Sequence, residues 1–268
     1  MPKKFKLFSL EWHAIHSCNL SCGQCSHYSN MIKGKGPTLA DMKEQVTPWG
    51  SRLKPRKIVI LGGEPLMNPE ILDMIPLWRH TFKGAAKLIV SNGLLFHKMP
   101  ELPRALHDNF FKLEVSQHGN EDDPIYWGKF QVALECIAKW RKDFPNLSIS
   151  VRPSYQFWRR QYQVNEGRPT PFDSEPRQAW ETCIQKRCMQ LYDGRLWKCP
   201  AIAYSGLANM HGDFPLFGQY EALTHTATDD ELEMFLNTEH IPQCVHCPSK
   251  RIPVRHTDPS NRRLPVLQ

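Results

Sequence analysis

The sequence predicts an α/β protein with a parallel sheet and outer helices, followed by a small C-terminal β-hairpin and helix module. Two observations predict this class. Short apolar runs alternate with helix-like runs over residues 8–165, and the pattern changes beyond that point. Repeated β–α alternation fits an open sheet, a full barrel or a partial barrel. The hydrophobic fraction of 41% and the charged fraction of 23% exclude wholesale disorder.

The first part of the chain is predicted to contain five strands. They cover residues 8–15, 57–61, 88–90, 111–115 and 147–151. Thr38 caps the first helix, Pro69 opens the second, and further helices are expected over residues 101–109 and 125–140. Ligands of such folds bind at the C-terminal ends of the parallel strands, so we expect the functional residues to follow these strands.

The second part of the chain, residues 166–268, is predicted to form a separate module with a basic C-terminal tail. A proline-rich connector over residues 167–176 opens it. Asp193-Gly194 between two strand-like runs, residues 189–192 and 195–198, predicts a hairpin, and residues 229–236 predict a short helix. A module of this size builds little core, so metal ligation is expected to hold it together.

The charge of the chain is concentrated at its two ends. The formal net charge is +7, of which residues 1–10 carry +3 and residues 248–268 carry +4. A nucleic-acid binder usually concentrates charge on a folded face, so nucleic acid is not expected as a partner. A mean hydropathy of −0.49 and the lack of a long apolar run exclude a membrane span, and no signal-peptide pattern develops. We therefore expect a cytoplasmic protein.

Cysteine is the most informative residue type. The chain has nine cysteines, and an odd number without a signal peptide argues against a disulfide framework. Cys136 falls in the predicted helix over residues 125–140, which favours a buried, inert thiol. The other eight form two clusters, which indicates metal ligation: Cys18, Cys22 and Cys25, then Cys183, Cys188, Cys199, Cys244 and Cys247.

The first cluster has the spacing C-x3-C-x2-C and lies in the loop after the first predicted strand. Three thiolates can hold three irons of a [4Fe–4S] cluster, which leaves the fourth iron an open position. Structural zinc needs four closed ligands, and His27 is a candidate for the fourth. The spacing alone therefore does not distinguish a [4Fe–4S] cluster from a structural zinc site.

This C-x3-C-x2-C motif resembles the hallmark of the radical S-adenosylmethionine (radical SAM) superfamily. Three further features follow in the order of that superfamily. Gly62-Gly63-Glu64-Pro65 is similar to the segment that holds the methionine amino group, and Asn92 and Ser116 match polar contacts after the third and fourth strands. Gln24 stands where an aromatic residue commonly contacts adenine, and Tyr28 is the candidate replacement.

The resemblance implies a partial (β/α)6-type barrel over residues 1–165. It also implies reductive cleavage of S-adenosylmethionine to a 5′-deoxyadenosyl radical, which abstracts hydrogen from a carbohydrate- or aminocyclitol-like substrate. A small polar substrate and a reductant such as flavodoxin or ferredoxin are the implied partners. The cofactor supplies this chemistry, and the protein supplies placement and exclusion of water.

The second cluster resembles the twitch domain, the short relative of the SPASM domain. In that family four cysteines hold an auxiliary [4Fe–4S] cluster, and the matching positions are Cys183, Cys199, Cys244 and Cys247. A zinc ribbon with the same four ligands is the alternative. Overall the chain looks most like the small aminocyclitol dehydrogenases of the superfamily. That likeness implies oxidation of an alcohol with electron transfer to the auxiliary cluster, and it makes Arg152 a candidate substrate contact.

Cys188 leaves the reaction class open. It could be a buried thiol, an alternative ligand, or a hydrogen-atom donor, and the last role implies a radical SAM epimerase of a sugar-like substrate. A peptide-modifying enzyme and a zinc-stabilised RNA-binding module are further alternatives. His13 and His16, three residues apart in a strand, are expected to point to opposite faces.

Overall fold

The computed structural model describes residues 3–256, so the last twelve residues of the predicted basic tail lie outside the described residues. Its strands are β1 (Phe5–Ile15), β2 (Leu53–Gly62), β3 (Ala86–Ser91), β4 (Phe111–Gln117), β5 (Ile149–Pro153), β6 (Gln163–Asn165), β7 (Arg168–Thr170), β8 (Cys188–Tyr192) and β9 (Arg195–Trp197). Its helices are α1 (Leu39–Gly50), α2 (Ile71–Thr81), α3 (Leu102–Asp108), α4 (Pro124–Asp143), α5 (Pro176–Thr182), α6 (Pro200–Ser205), α7 (Pro215–Gly218) and α8 (Asp229–Asn237).

Seven of these strands form one sheet in the order β5-β4-β3-β2-β1-β8-β9. Every neighbouring pair is parallel except β8 and β9, which are antiparallel. The prediction of an α/β fold with a mostly parallel sheet is confirmed. The sheet described by residues 3–256 is open and does not close into a barrel.

The sixth parallel strand comes from the C-terminal part of the chain. β8 pairs with β1, with Ser9 opposite Cys188 and Glu11 opposite Gln190. Leu191 and Leu196 of the hairpin are fully buried in the same core as β1 and β2. The cysteine-rich segment is therefore attached to the main sheet by both backbone hydrogen bonds and apolar packing.

The local signals that start the elements are present as side-chain contacts. Thr38 accepts a hydrogen bond from the backbone N–H of Asp41, and Asp41 accepts one from the backbone N–H of Thr38, which completes a capping box. Asp193 and Gly194 have φ values of 51° and 67°, the left-handed conformation that two-residue hairpin turns require. The predicted β8–β9 hairpin is therefore confirmed.

Two local predictions differ from the structure. The proline-rich connector contains β7, which pairs with β6 around a turn at Glu166 and Gly167. The prediction that His13 and His16 point to opposite faces is wrong, because β1 has an irregularity between His13 and Ile15 and ends at Ile15. The Nδ1 atoms of these two histidines lie 3.2 Å apart.

The buried side chains form two clusters. The larger one surrounds the sheet and includes Trp12, Trp49 and Trp78, each no more than 1% exposed. The smaller one lies beside it and is rich in aromatic residues, among them Tyr28, Tyr162, Tyr204, Phe214 and Phe217. No helix within residues 3–256 has the length and apolar composition needed to span a membrane.

Candidate active site

A cavity of about 610 Å³ lies over one face of the sheet and extends to the C-terminal ends of its parallel strands. Alternate residues of each strand line it, as expected for one face of a sheet, for example Lys57, Val59 and Leu61 of β2. The predicted site residues that also line it are Cys18, Cys22, Cys25, Gly62, Gly63, Asn92, Ser116, Arg152 and Cys188. The structure therefore brings most of the sequence-predicted residues to one place.

The three-cysteine loop follows β1 and faces this cavity. Burial raises the pKa of Cys18 to about 12, and the carboxyl group of Glu64 adds to the rise. Burial also raises the pKa of Cys22 and Cys25, and the neighbouring thiols raise that of Cys22 further. These thiols are therefore protonated at neutral pH without a metal, and ligation would release their protons.

The glycine pair after β2 lets the cysteine loop approach its backbone. The N–H of Gly63 donates to Ile15 O at 2.9 Å, and the N–H of Glu64 donates to Ser17 O at 3.0 Å. A Cβ atom on Gly63 would lie 2.0 Å from Ser17 O, and one on Gly62 would lie 2.2 Å from Ile15 O. Only glycine fits at these positions, because any side chain would push the cysteine loop away.

Glu64 does not line the cavity but lies beneath it, fully buried. Its carboxylate accepts hydrogen bonds from Ser91 Oγ at 2.8 Å and from the backbone N–H of Asn92 at 2.7 Å. Burial raises the pKa of Glu64 to about 7, although these donors act in the opposite direction. Pro65 is also buried and opens a short 3₁₀ turn, Pro65–Met67. Both residues shape the loop after β2 from below.

Asn92 connects the loop after β3 to the cysteine loop. Its Nδ2 donates to Asn19 Oδ1 at 2.6 Å and lies 3.8 Å from Cys18 Sγ. Glu64 fixes the backbone of Asn92 from the other side. The loops after β1, β2 and β3 are therefore joined by one continuous set of hydrogen bonds.

Ser116 and Arg152 stand opposite each other on β4 and β5. Arg152 Nε lies 3.2 Å from Glu114 Oε1, and the Arg152 side chain is 56% exposed. Lys57 and Glu11 add a second pair of charges to the cavity lining. The cavity therefore presents charges of both signs, which suits a ligand with several polar groups.

Tyr28 is not brought into this cavity. The chain turns at Tyr28 with a φ of 56°, and the ring is buried beside Tyr162 in the smaller aromatic cluster. The aromatic side chain next to the cysteine loop is Trp158, whose Nε1 donates to Gly23 O at 2.6 Å. Gln24 accepts hydrogen bonds from the backbone N–H groups of Gln161 and Tyr162, which holds this segment against the loop.

The four cysteines matched to the twitch pattern converge at a second place. Cys183 follows α5, Cys199 precedes α6, and Cys244 and Cys247 lie in and just after the 3₁₀ turn Pro242–His246. Burial raises the pKa of Cys199 to about 12, and the charges of Cys183 and Cys244 add to the rise. Cys199, Cys183 and Cys244 likewise raise the pKa of Cys247. Electrostatic coupling among all four shows that their thiols are close together.

The spacing of the sulfur atoms shows whether each cysteine set suits a single zinc ion or an iron–sulfur cluster. Sulfur atoms around one tetrahedral zinc lie about 3.8 Å apart, from a Zn–S distance of about 2.3 Å. Within residues 3–256, only one set of three or more cysteine, histidine or acidic residues has all its ligand atoms within 4.8 Å, and it consists of Cys22, His118 and His256. The cysteines of each predicted cluster site therefore lack the spacing of ligands around one zinc ion, and thiolates are the usual ligands of iron–sulfur clusters.

Cys188 faces the large cavity, and Cys183 of the second cysteine set is close enough to add to the rise of its pKa. Cys188 starts β8 opposite Ser9 of β1, two residues before Glu11. Burial raises the pKa of Cys188, and the charge of Glu11 and a hydrogen bond to it raise the pKa further. Gln190 also donates to Glu11, at 2.9 Å, and Tyr204 donates to Gln190 at 3.0 Å. Cys136, in contrast, is half-buried on α4, away from the cavity lining.

Sequence reasoning missed several residues of the cavity lining, among them Glu11, Lys57 and His118. Glu11 carried a usable signal, because an acidic residue interrupts an apolar strand. His118 lies two residues beyond Ser116 at the end of β4, where a ligand-facing residue is expected. Trp158 carried a signal as well, because the run from Phe157 to Tyr162 mixes aromatic rings with arginines, a composition that suits a sugar- or nucleotide-binding site.

No protein-family model and no curated protein matches the chain. Solved structures match it at a distance, and several of these have bound AdoMet. One is anSMEcpe with bound AdoMet, at 20% identity and a TM-score of 0.42, covering 55% of this chain and 43% of that one. The chain therefore spans less than half the length of this first relative.

Two more of these structures cover a larger share of the chain. BtrN in complex with AdoMet and 2-DOIA is 14% identical, with a TM-score of 0.49 and coverage of 90% of this chain and 85% of that one. SuiB from Streptococcus suis bound to S-adenosylmethionine is 11% identical, with a TM-score of 0.37 and coverage of 86% and 66%. Similarities this distant establish no family, and the function below is argued from the chain's own residues.

Proposed function

We propose that the protein is a radical SAM enzyme that oxidises an alcohol group of a small carbohydrate- or aminocyclitol-like substrate. One observation carries the proposal. The three-cysteine loop, the glycine pair after β2, and Asn92 and Ser116 meet at one cavity at the C-terminal ends of parallel strands. The four features are dispersed over about a hundred residues of sequence, and the sheet brings them together.

The residues of this cavity have separate tasks in the proposal. Cys18, Cys22 and Cys25 would hold a [4Fe–4S] cluster, with the backbone at Gly62 and Gly63 facing the bound S-adenosylmethionine. Such a cluster with S-adenosylmethionine supplies a 5′-deoxyadenosyl radical, which can abstract hydrogen from an unactivated carbon. Residues of β2 and β3 and the ring of Trp158 form walls of the cavity in which that reaction would take place.

The charged lining favours a polyhydroxylated or amino-substituted substrate. Arg152 is exposed into the cavity beside Glu114 and can donate to substrate oxygens in a fixed orientation. Glu11 is the carboxylate nearest Cys188 and is held by Gln190, so it can accept the proton of a substrate hydroxyl or bind an ammonium group. Proton removal is the part of alcohol oxidation that a side chain must perform.

The second cysteine set would hold an auxiliary [4Fe–4S] cluster through Cys183, Cys199, Cys244 and Cys247. Such a group can accept the electron that a substrate loses on oxidation. Cys183 and Cys188 lie five residues apart, and β8 places the latter against β1 in the cavity wall. The segment therefore connects the auxiliary site to the substrate cavity over a short stretch of chain.

A second candidate function is epimerisation of a similar substrate, and the position of Cys188 favours it. Its thiol faces the cavity, and its raised pKa keeps it in the S–H form that hydrogen-atom donation requires. A dehydrogenase needs no thiol at this place. The two reactions differ in their products, because only oxidation removes electrons from the substrate.

Anaerobic reconstitution with iron and sulfide tests whether the protein is a radical SAM enzyme. Wild-type protein is expected to bind about eight irons per chain, as two [4Fe–4S] clusters require, and to release 5′-deoxyadenosine from S-adenosylmethionine with dithionite. A Cys18→Ala, Cys22→Ala, Cys25→Ala variant should bind about four irons and release none. The matched control is Cys136→Ser, which should behave as wild type. Iron-free wild-type protein, or intact S-adenosylmethionine under these conditions, would overturn the proposal.

A further inference from the structure

One set of side chains next to the cavity has the geometry of a mononuclear metal site. His118 Nδ1 lies 3.6 Å from Cys22 Sγ and 3.2 Å from His256 Nε2. All three ligand atoms lie within 4.8 Å of one another. Cys22 is buried and the two histidines are partly buried, so the group is largely shielded from water.

These distances match the edges of a zinc tetrahedron. Zn–N distances of about 2.05 Å and a Zn–S distance of about 2.3 Å place two nitrogens about 3.3 Å apart and a nitrogen and a sulfur about 3.6 Å apart. The observed contacts of 3.2 Å and 3.6 Å agree with both values. Three protein ligands leave the fourth position for water, as in open zinc sites.

Two unrelated parts of the chain hold the histidines in place. His118 follows β4, and its backbone N–H donates to Tyr126 OH at 2.7 Å. His256 lies in a segment that comes from the auxiliary site, where Arg160 N–H donates to Ile252 O at 2.9 Å. The ring of Trp158 packs edge-on against His256 at 4.3 Å. The three ligands therefore converge because of tertiary structure and not because of sequence proximity.

We propose that the chain, before a cluster is loaded, binds one divalent ion of the zinc class through Cys22, His118 and His256. Binding exchanges the Cys22 thiol proton for the ion, with no change in oxidation state. Because Cys22 offers one thiolate, this ion and a cluster on the three-cysteine loop exclude each other. Zinc then acts as an inhibitor of cluster assembly. The site itself does not depend on the proposed radical chemistry.

Metal binding by the reduced, metal-free full chain tests the site, with Co²⁺ and Zn²⁺ as the probes. His118→Ala and His256→Ala should each bind one ion fewer per chain than wild type, and the thiolate-to-cobalt absorption should fall accordingly. His97→Ala removes an exposed histidine that does not line the cavity and serves as the control. Any ions that the auxiliary cysteines bind contribute equally to every variant, so they do not affect the difference between wild type and the histidine variants. An unchanged number of ions and an unchanged cobalt spectrum in both histidine variants would overturn the proposal.

Competition with iron gives a second measurement. Zinc added before reconstitution should lower iron uptake by about four irons per chain in wild type and in His97→Ala, but not in His256→Ala. His256 is only partly buried and lies outside the helices and strands, so its replacement should leave the circular dichroism spectrum unchanged. Equal inhibition by zinc in all variants would place the competing ion elsewhere and refute the site. Failure of iron uptake without zinc would instead contradict the proposed function.

Discussion

The carboxylate of Glu64 accepts a 2.7 Å hydrogen bond from the backbone N–H of Asn92. This contact joins the loop after β2 to the loop after β3 beneath the cavity. Asn92 in turn contacts Asn19 and Cys18 of the cysteine loop. Glu64 therefore acts as a positioning residue, since it holds the residue that orders the cysteine loop but does not face the cavity itself.

The buried Glu64 carboxyl group makes the stability of the metal-free protein depend on pH. Burial raises its pKa from 4.5 to about 7, so the native state keeps the proton to a higher pH than the unfolded chain does. The free energy of unfolding should fall by up to about 3 kcal/mol from this group as pH rises from 4.5 through 7. Urea unfolding of reduced protein at several pH values measures this decline. Glu64→Gln removes the titration, and an equally steep decline in that variant would contradict the assignment.

Replacement of Gly63 should displace the cysteine loop. A Cβ atom would lie 2.0 Å from Ser17 O and 2.7 Å from Cys18 N, so the loop must move. Gly63→Ala should lower the free energy of unfolding by about 1–3 kcal/mol and reduce iron uptake by the first site. Gly128→Ala is the matched control, because this glycine lies within α4 and faces open space. That variant should gain about 0.5–1 kcal/mol and load iron normally.

Replacement of Cys188 distinguishes oxidation from epimerisation. Reactions run in D₂O should give product with deuterium at the attacked carbon if the Cys188 thiol, exchanged with solvent, donates the hydrogen atom. Cys188→Ala should then stop product formation while 5′-deoxyadenosine release continues. A ketone product, formed equally by wild type and Cys188→Ala, would identify the enzyme as a dehydrogenase. The thiol is in contact with Glu11, so Glu11→Gln tests whether the carboxylate supports either reaction.

The auxiliary cysteines should be needed for the second cluster but not for the first. Cys199→Ser removes a partly buried thiol that is coupled to Cys183 and Cys244. We expect this variant to keep about four irons per chain and to release 5′-deoxyadenosine without completing substrate oxidation. Iron analysis and product chromatography measure both effects. Full iron content in Cys199→Ser would mean that a different residue, such as Cys188, serves as the ligand.

The sequence predicted those parts of the fold that local patterns specify. Apolar runs located β1 to β5, and Asp193-Gly194 located the β8–β9 turn, because strand burial and left-handed turns have local signatures. The pairing of β8 with β1 was not predictable in this way. That contact joins residues about 180 positions apart, and no local pattern records which edge of a sheet a late strand will join.

Sequence spacing predicted the cysteine ligands of the candidate site. It did not predict residues whose positions depend on side-chain packing. Cys18, Cys22 and Cys25 follow a spacing that ligation requires, and the structure places all three on the cavity. Tyr28 was expected to contact adenine because it is aromatic and close in sequence, but its ring is buried beside Tyr162. Closeness in sequence thus placed Tyr28 near the three-cysteine loop but did not predict the direction in which its side chain points.

The pairing of β8 with β1 also has a consequence for folding during translation. The ribosome synthesises β1 first and β8 only after about 170 further residues. The part of the cavity lining that β8 contributes is therefore absent until late in translation. Nascent chains therefore expose an incomplete pocket, and productive maturation has to wait for the distal segment to dock. Truncation anywhere before that segment should leave a product that cannot mature, even though every residue of the N-terminal thiol loop has been synthesised.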